Sequence, residues 1–255
     1  MSLRLYVAVI SVFAAMQVCA QDTIRIMTYN LKACQLASVE DIGKYIRRNN
    51  PDIVALQEID VNSGRARRVH PEGPNTIDGI AYYADMLSAY GSSLKEEGGY
   101  YGVAILSKYP YLSTESVLLP MPVNTEQRSY LACQVNIKGH PICFVSTHLD
   151  LDKTNRIVQM KYINKHLSKC KTTCFIVGDL NSQPDDKEVG TYLKKWTDAL
   201  PKGQPTFPAL HPEMKLDYVL YRNGVKLKVI DSYIDTEVPL SDHCACIVDV
   251  VLYNK

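Results

Sequence analysis

The sequence has no excess of either charge. Its 255 residues carry 28 Lys and Arg against 27 Asp and Glu, a formal net charge of +1. A protein that works chiefly by wrapping duplex DNA needs a basic surplus to displace counterions. That role is disfavoured here unless a local patch serves it. Only one tryptophan is present, Trp196, and no aromatic hairpin offers itself for membrane insertion. Beyond the first 16 residues no apolar run is long enough to span a bilayer. Internal repeats, low-complexity tracts and Pro/Gly/Ser-rich linkers are all lacking, so one domain over residues 21–255 is the simplest organisation. With 46% hydrophobic residues the chain has the means to build a sizeable core.

The N-terminus has the form of an export signal. Arg4 supplies a short positive region, Leu5 to Met16 is almost wholly apolar, and Val18-Cys19-Ala20 resembles a small-residue cleavage site. Cleavage near Ala20-Gln21 is expected, with a secreted or periplasmic product and no stable membrane insertion afterwards. Gln17 and Val18 are poor neighbours for lipoprotein processing at Cys19. Removal of Arg4 leaves basic and acidic side chains equal in number. Seven cysteines remain: Cys34, Cys133, Cys143, Cys170, Cys174, Cys244 and Cys246. Their spacing is not a zinc pattern. Cys133 and Cys143 flank a turn between two strand-like runs and are the first candidates for a bridge. Cys244 and Cys246 alternate as buried small apolar residues do on one face of a strand.

Strand-like and helix-like runs alternate along the chain. Ile24–Tyr29 is β-rich. Ser38 caps a helix with Asp41 three residues on, Val39, Ile42 and Ile46 form its apolar stripe, and Asn50-Pro51 stops it. Ile53–Leu56 is a continuous apolar run of the kind buried on both faces. Further helices are predicted over Ile80–Tyr90, Thr154–Leu167 and Pro184–Trp196. Further strands are predicted over Val103–Leu106, Leu131–Ile137, Ile142–Ser146, Cys174–Val177, Leu216–Tyr221 and Cys244–Leu252, with a hairpin turn at Gly139-His140.

One arrangement recurs: an apolar strand ends and a polar residue able to hold metal or phosphate follows. Asn30, Glu58, His148, Asp179 with Asn181, and Asp217 stand in such places, and Asp242 with His243 follows Ser241 at the start of the last strand. Each alone is a plausible cap or turn residue. Together they imply a shared polar site, because burying carboxylates and imidazoles beside core strands is costly unless they are paired or bind a cation.

Thr28-Tyr29-Asn30, Leu56-Gln57-Glu58, Thr147-His148-Leu149-Asp150, Gly178-Asp179-Leu180-Asn181, Leu216-Asp217-Tyr218-Val219 and Ser241-Asp242-His243 follow one another in the chain. In that order they resemble the motif series of the endonuclease/exonuclease/phosphatase superfamily, in a deoxyribonuclease-like, secreted bacterial type. Gly102–Ser107 adds a further strand of that series. The resemblance implies an α/β (α+β) fold, a four-layer α/β/β/α sandwich of two mixed β-sheets. It implies a site dependent on Mg²⁺ or Mn²⁺, with Glu58 as chief metal ligand and Asn30 and Asp242 nearby. Asp179 then orients the attacking water, Asn181 and His148 hold the phosphate, and His243 serves the scissile group with Asp217 as its partner on a neighbouring strand. Arg128, in Glu126-Gln127-Arg128, supports the site by a salt bridge.

The same framework serves nucleases, sphingomyelinases, inositol-phosphate phosphatases and other phosphodiesterases, so the fold does not choose the substrate. Arg65, Arg67, Arg68 and His70 are expected in a loop after Glu58, open to an anionic substrate or merely solvated. Tyr100 and Tyr101 suit strand packing better than stacking on a sugar or base. The chain is short for the superfamily. The expectation is therefore a monomeric hydrolase of a small or flexible phosphoester, with nucleic acid as the alternative substrate. A silent binding module is disfavoured because every core position of the series is filled. A zinc enzyme is disfavoured because the expected ligands are oxygens.

Overall fold

The computed structural model describes residues 23–253. The expected signal over residues 1–20 lies outside the described residues. Among the described residues, twelve strands form two six-stranded sheets. The centre of the first is a parallel pair, β1 (Thr23–Asn30) and β2 (Ile53–Val61), joined by helix α1 (Val39–Asn49). Ser38 Oγ accepts from Asp41 N at 3.0 Å, and Asn50 ends the helix in the left-handed region at φ 54°. After α2 (Gly64–Val69) and α3 (Thr76–Ala84), β3 (Leu87–Glu96) and β4 (Gly99–Ser107) extend this sheet beside β2.

The second sheet begins with β5 (Tyr111–Leu118), β6 (Ser129–Ile137) and β7 (His140–His148). Lys138 and Gly139 turn the β6–β7 hairpin, both at positive φ, which matches the strand twist. Helix α4 (Lys153–Leu167) then leads to β8 (Thr173–Asp179), parallel to β7. After α5 (Lys187–Tyr192), β9 (Trp196–Asp198) and β10 (Asp217–Arg222) complete the sheet. The chain returns to the first sheet with β11 (Leu227–Asp235) and β12 (Ala245–Leu252), the latter antiparallel to β1.

Three cores separate four layers. Ile24, Ile26, Ala55 and Ile105 meet Leu131, Phe144, Phe175 and Val177 between the sheets. Tyr29, Leu56 and Ala104 pack under Ile42, Ile46 and Ile80 of α1 and α3. Val145, Cys174 and Ile176 pack under Met160 and Ile163 of α4. This is the expected α/β/β/α sandwich.

Several expected elements are corrected. The helix expected over Ile80–Tyr90 ends at Ala84, where Asp85 takes a left-handed conformation at φ 57°, and Leu87–Tyr90 open a strand instead. The helix expected over Pro184–Trp196 shrinks to Lys187–Tyr192. Trp196 begins β9, where its buried indole donates to Asn164 Oδ1 at 2.6 Å. The loop expected around Arg65–His70 is the helix α2, capped by Ser63 Oγ. No bridge joins Cys133 to Cys143: Cys133 lies opposite Phe144, one residue out of register, so it faces the inter-sheet core while Cys143 faces α4.

Candidate active site

Strand polarity gathers the polar residues. β1 and β2 end at the same edge of their sheet as β7 and β8 end in theirs. Strands β10 and β12 run antiparallel to those neighbours and so begin at that edge. Asn30, Glu58, His148, Asp179, Asp217 and His243 therefore converge although they are scattered through the sequence. Glu58, His148, Asp179, Asn181, Asp242 and His243 line one cleft of about 450 Å³, together with Arg128, Phe207 and Met214.

Three backbone departures aim the groups. Glu58 sits in a bulge where β2 loses register with β4, at φ 56°. Asn181 stands at φ 48°, its N–H donating to Asp179 Oδ1 at 2.8 Å. Lys32, Ala33 and Cys34 form a turn entirely at positive φ. It returns the Lys32 ammonium to 2.9 Å from Asp242 Oδ2. Strain of this kind persists only where surrounding structure enforces it.

Asp179 is the hub. Its buried Oδ2 accepts from Asn30 Nδ2 at 3.1 Å and lies 3.5 Å from His148 Nε2 and 3.7 Å from His243 Nε2. Burial raises its pKa above the usual carboxylate range, the cation of His243 opposes the rise, and the charge of Asp217 reinforces it. His243 Nδ1 stands 2.9 Å from Asp217 Oδ2, and the ring of Phe207 lies 4.7 Å from the imidazole, centroid to centroid. Burial lowers the His243 pKa, but the charge and hydrogen bond of Asp217 outweigh it and lift the value to about 10.

His148 has the opposite environment. Arg128 Nη1 donates to its Nδ1 at 2.9 Å, and Arg128 also pairs with Glu126 at 3.1 Å. Burial first, then the guanidinium, hold His148 well below the ordinary histidine value. Since arginine only donates, Nδ1 is the acceptor of this bond, and Nε2 is the ring nitrogen that faces the cleft. One imidazole of the cleft is thus neutral and the other charged. Asn181 Nδ2 lies 3.0 Å from His148 Nε2 and donates to Leu149 O at 2.9 Å.

The donor set suits a hard divalent cation. Glu58 and Asp242 present carboxylates to the cleft and the buried Asn30 amide lies directly behind Glu58, oxygen-bearing groups of the kind preferred by Mg²⁺ and Mn²⁺. Glu58 receives Asn30 Nδ2 at 2.9 Å, and Asn30 Oδ1 accepts only the Lys32 N–H, keeping a lone pair free. The carboxylates of Asp179 and Asp217 and the His243 ring have ligand-type atoms within 4.8 Å of one another. In that trio His243 Nδ1 is already taken by Asp217, which marks an acid–base group.

Some sequence candidates lie elsewhere. Arg65 is spent on Asp60 at 2.7 Å and covers the buried Tyr101 ring, while Arg68 pairs with Glu97 at 2.9 Å. His70 Nε2 meets Cys34 O. Tyr101 packs as a strand residue, and Tyr100 is exposed. Sequence reasoning missed Lys32, Phe207, the Arg128–His148 bond and buried Gln57, whose Nε2 reaches Ser146 Oγ of the other sheet at 3.4 Å. Only Gly178 had a readable signal, its place just before Asp179. At φ 138° it carries the strand so close to its neighbour that a Cβ would sit 2.1 Å from Thr147 O.

A model of the endonuclease/exonuclease/phosphatase family matches residues 27–243. Human tyrosyl-DNA phosphodiesterase 2 is 22% identical over 173 residues, 64% of this chain and 43% of that protein. The chain therefore matches less than half the length of that relative. Uncharacterized protein YbhP of Escherichia coli K12 is 24% identical over 210 residues, covering 78% of this chain and 82% of that one. Among solved structures, an endonuclease/exonuclease/phosphatase from Beutenbergia cavernae superposes with a TM-score of 0.75 at 20% identity, over 90% of this chain and 72% of its own.

Proposed function

The chain belongs to the endonuclease/exonuclease/phosphatase family, whose members hydrolyse phosphoesters, and on that premise we propose that it is a Mg²⁺- or Mn²⁺-dependent hydrolase of a small or flexible phosphoester. The observation that carries this reading is the charged His243, held by Asp217 at 2.9 Å, with Asp179 3.7 Å from its other nitrogen.

In this proposal Asp179 Oδ2 orients a water for attack on phosphorus. The Nε2–H groups of neutral His148 and cationic His243 donate to phosphoryl oxygens, and Asn181 helps hold the phosphate. Charge accumulating on those oxygens is met by donors already fixed in a partly dry site. Arg128 keeps the His148 proton on the cleft side. Glu58, Asp242 and Asn30 would hold the divalent cation, which when bound polarises a phosphoryl oxygen and offsets its growing charge. Lys32 neutralises Asp242 otherwise. Balanced net charge and Asp186 on the cleft wall favour a compact substrate over a long polyanion. Similarity to a tyrosyl-DNA phosphodiesterase favours a second reading, a nuclease acting on DNA or RNA. Export with cleavage near Ala20-Gln21 and a monomeric state complete the proposal.

The test is turnover by the purified protein with Mg²⁺ or Mn²⁺ on bis-p-nitrophenyl phosphate, p-nitrophenyl phosphate, inositol phosphates, sphingomyelin and oligonucleotides. Hydrolysis of a small ester, abolished by EDTA and restored by the cation, is expected. Cleavage confined to oligonucleotides supports the nuclease reading. Full activity in metal-free protein, or none on any ester, sinks the proposal.

A further inference from the structure

At the opposite end of the strands that carry His148 and Asp179, three thiols meet. Cys143 and Cys174 are direct neighbours on the parallel strands β7 and β8, and both face α4. Cys170 lies in the short connection between α4 and β8 and packs against the same core. The three sulfurs all lie within 4.8 Å of one another. None is bridged. Cys143 and Cys174 are buried, whereas Cys170 is partly exposed.

The surroundings decide what such a cluster can become. Binding a soft metal ion would require the thiols to give up their protons and leave charge in an apolar layer. The hydrogen bond with Cys143, and then burial, hold Cys174 as a thiol by raising its pKa. Arg222 is the cation bound to this corner, but its Nη1 is engaged by Cys170 O at 2.8 Å and its Nη2 by Leu167 O. A disulfide needs no buried charge. Its sulfurs must close to about 2 Å, so at least one partner must move. Cys143 and Cys174 are fixed in central strands packed on both faces. Cys170 is held by its backbone, by a 3.1 Å contact from its sulfur to Thr172 Oγ1 and by Gln134 Nε2, which donates to that sulfur at a long 3.9 Å, with no strand pairing to fix it. It is both the mobile partner and the one an outside reagent can reach.

We propose that Cys170 and Cys174 form a reversible disulfide that fastens the end of α4 to β8, with a small disulfide as oxidant and Cys143 remaining a thiol. The Cys170 thiolate attacks the external disulfide, forming a mixed disulfide and releasing one thiolate. Cys174 attacks the Cys170 sulfur and passes its proton to the departing second thiolate, so no charge is left in the buried layer. Two protein thiols thus lose two protons and two electrons, and the external disulfide is reduced to two thiols. The phosphoester site takes no part, so this inference stands apart from the proposed function.

Trypsin separates the three cysteines, because lysines at 138, 153, 169, 171 and 187 place them in peptides 139–153, 170–171 and 172–187. The full chain is equilibrated with glutathione disulfide, its free thiols are alkylated under denaturing conditions, and the digest is weighed. A 170–171 peptide linked to 172–187, with Cys143 alkylated, is expected. Reduction should abolish the link and lower the thermal midpoint by a few degrees, and Cys170→Ser should show no such shift. Cys143→Ala should still form the bridge, and Cys174→Ser should trap glutathione on Cys170. A link between the peptides of Cys143 and Cys174, a lasting glutathione adduct on wild-type Cys170, three alkylated thiols, or one equivalent of zinc held by all three would each overturn the proposal.

Discussion

His243 Nδ1 and Asp217 Oδ2 stand 2.9 Å apart and belong to different sheets. Asp217 opens β10 of the second sheet, and His243 precedes β12 of the first. The family resemblance suggested neighbouring strands; the bond instead spans the sandwich. Asp217 Oδ1 has no hydrogen-bond partner, so the bond to the imidazole is the carboxylate's hydrogen bond among the described residues.

If the two act as a unit, Asp217→Asn should lower kcat less than His243→Ala, and the double variant should be little worse than His243→Ala alone. The check is a double-mutant cycle on kcat/KM. Simple additivity of the two effects would mean that they act separately.

The pH–rate profile should be bell-shaped. Asp179 acts as a carboxylate, so activity rises with pH through its elevated pKa, and the acid limb lies above the ordinary aspartate range. His243 acts as a cation, so activity falls as pH passes about 10. In Asp217→Asn the carboxylate charge that opposes the effect of burial is gone, and the alkaline limb should move to lower pH. An alkaline limb unmoved in that variant would count against the assignment.

Glu58→Gln and Asp179→Asn should each keep the fold and lose activity by a factor of about 10² or more. Both side chains belong to the polar cleft, so near-isosteric amides leave the cores intact. Circular dichroism checks the fold and single-turnover kinetics the loss. Wild-type kcat in either folded variant would remove that residue from the mechanism.

Arg128→Met should raise the pKa of His148, because a neighbouring cation is removed while burial remains. Imidazole NMR titration reads the shift directly. Activity should fall about tenfold or more, since the cleft-facing proton loses the donor that fixes its tautomer. A His148 resonance that titrates as in the wild type would refute this.

Gly178→Ala should destabilise the fold by at least about 2 kcal/mol, from left-handed strain combined with a steric clash. The added carbon would meet Thr147 O at 2.1 Å and Gln57 Nε2 at 2.9 Å. Urea denaturation measures the loss.

Much of the fold was legible because its central strands are buried on both faces and read as apolar runs. The strands that escaped, β3, β5, β9 and β11, are the four sheet edges. Their half-exposed residues mix polar and apolar without a clear period. Tyr111–Leu118, mostly exposed, is the extreme case. The site was legible for a related reason: Asn30, Glu58, His148 and Asp179 end apolar runs, so their positions stand out. Lys32, Phe207 and the Arg128–His148 bond did not, because each depends on a tertiary approach that leaves no local periodicity. Arg65 misled for the opposite reason, since its partner Asp60 is a buried acid five residues away on the preceding strand.

The two parallel strand pairs are mounted on opposing leaves. One carries Asn30 and Glu58, the other His148 and Asp179, and hydrogen bonds such as Asn30 to Asp179 at 3.1 Å and Ser146 to Leu56 O at 3.2 Å cross the gap. The leaves are spaced by a dry filling in which the rings of Phe144 and Phe175 lie 6.5 Å apart. Turnover therefore acts as a caliper on that spacing. A thinner filling such as Phe144→Leu draws the leaves together or skews them by tenths of an ångström, and misalignment on that scale weakens directional donors while the chain remains folded. Loss of activity should then precede loss of structure, with its origin deep in the sandwich.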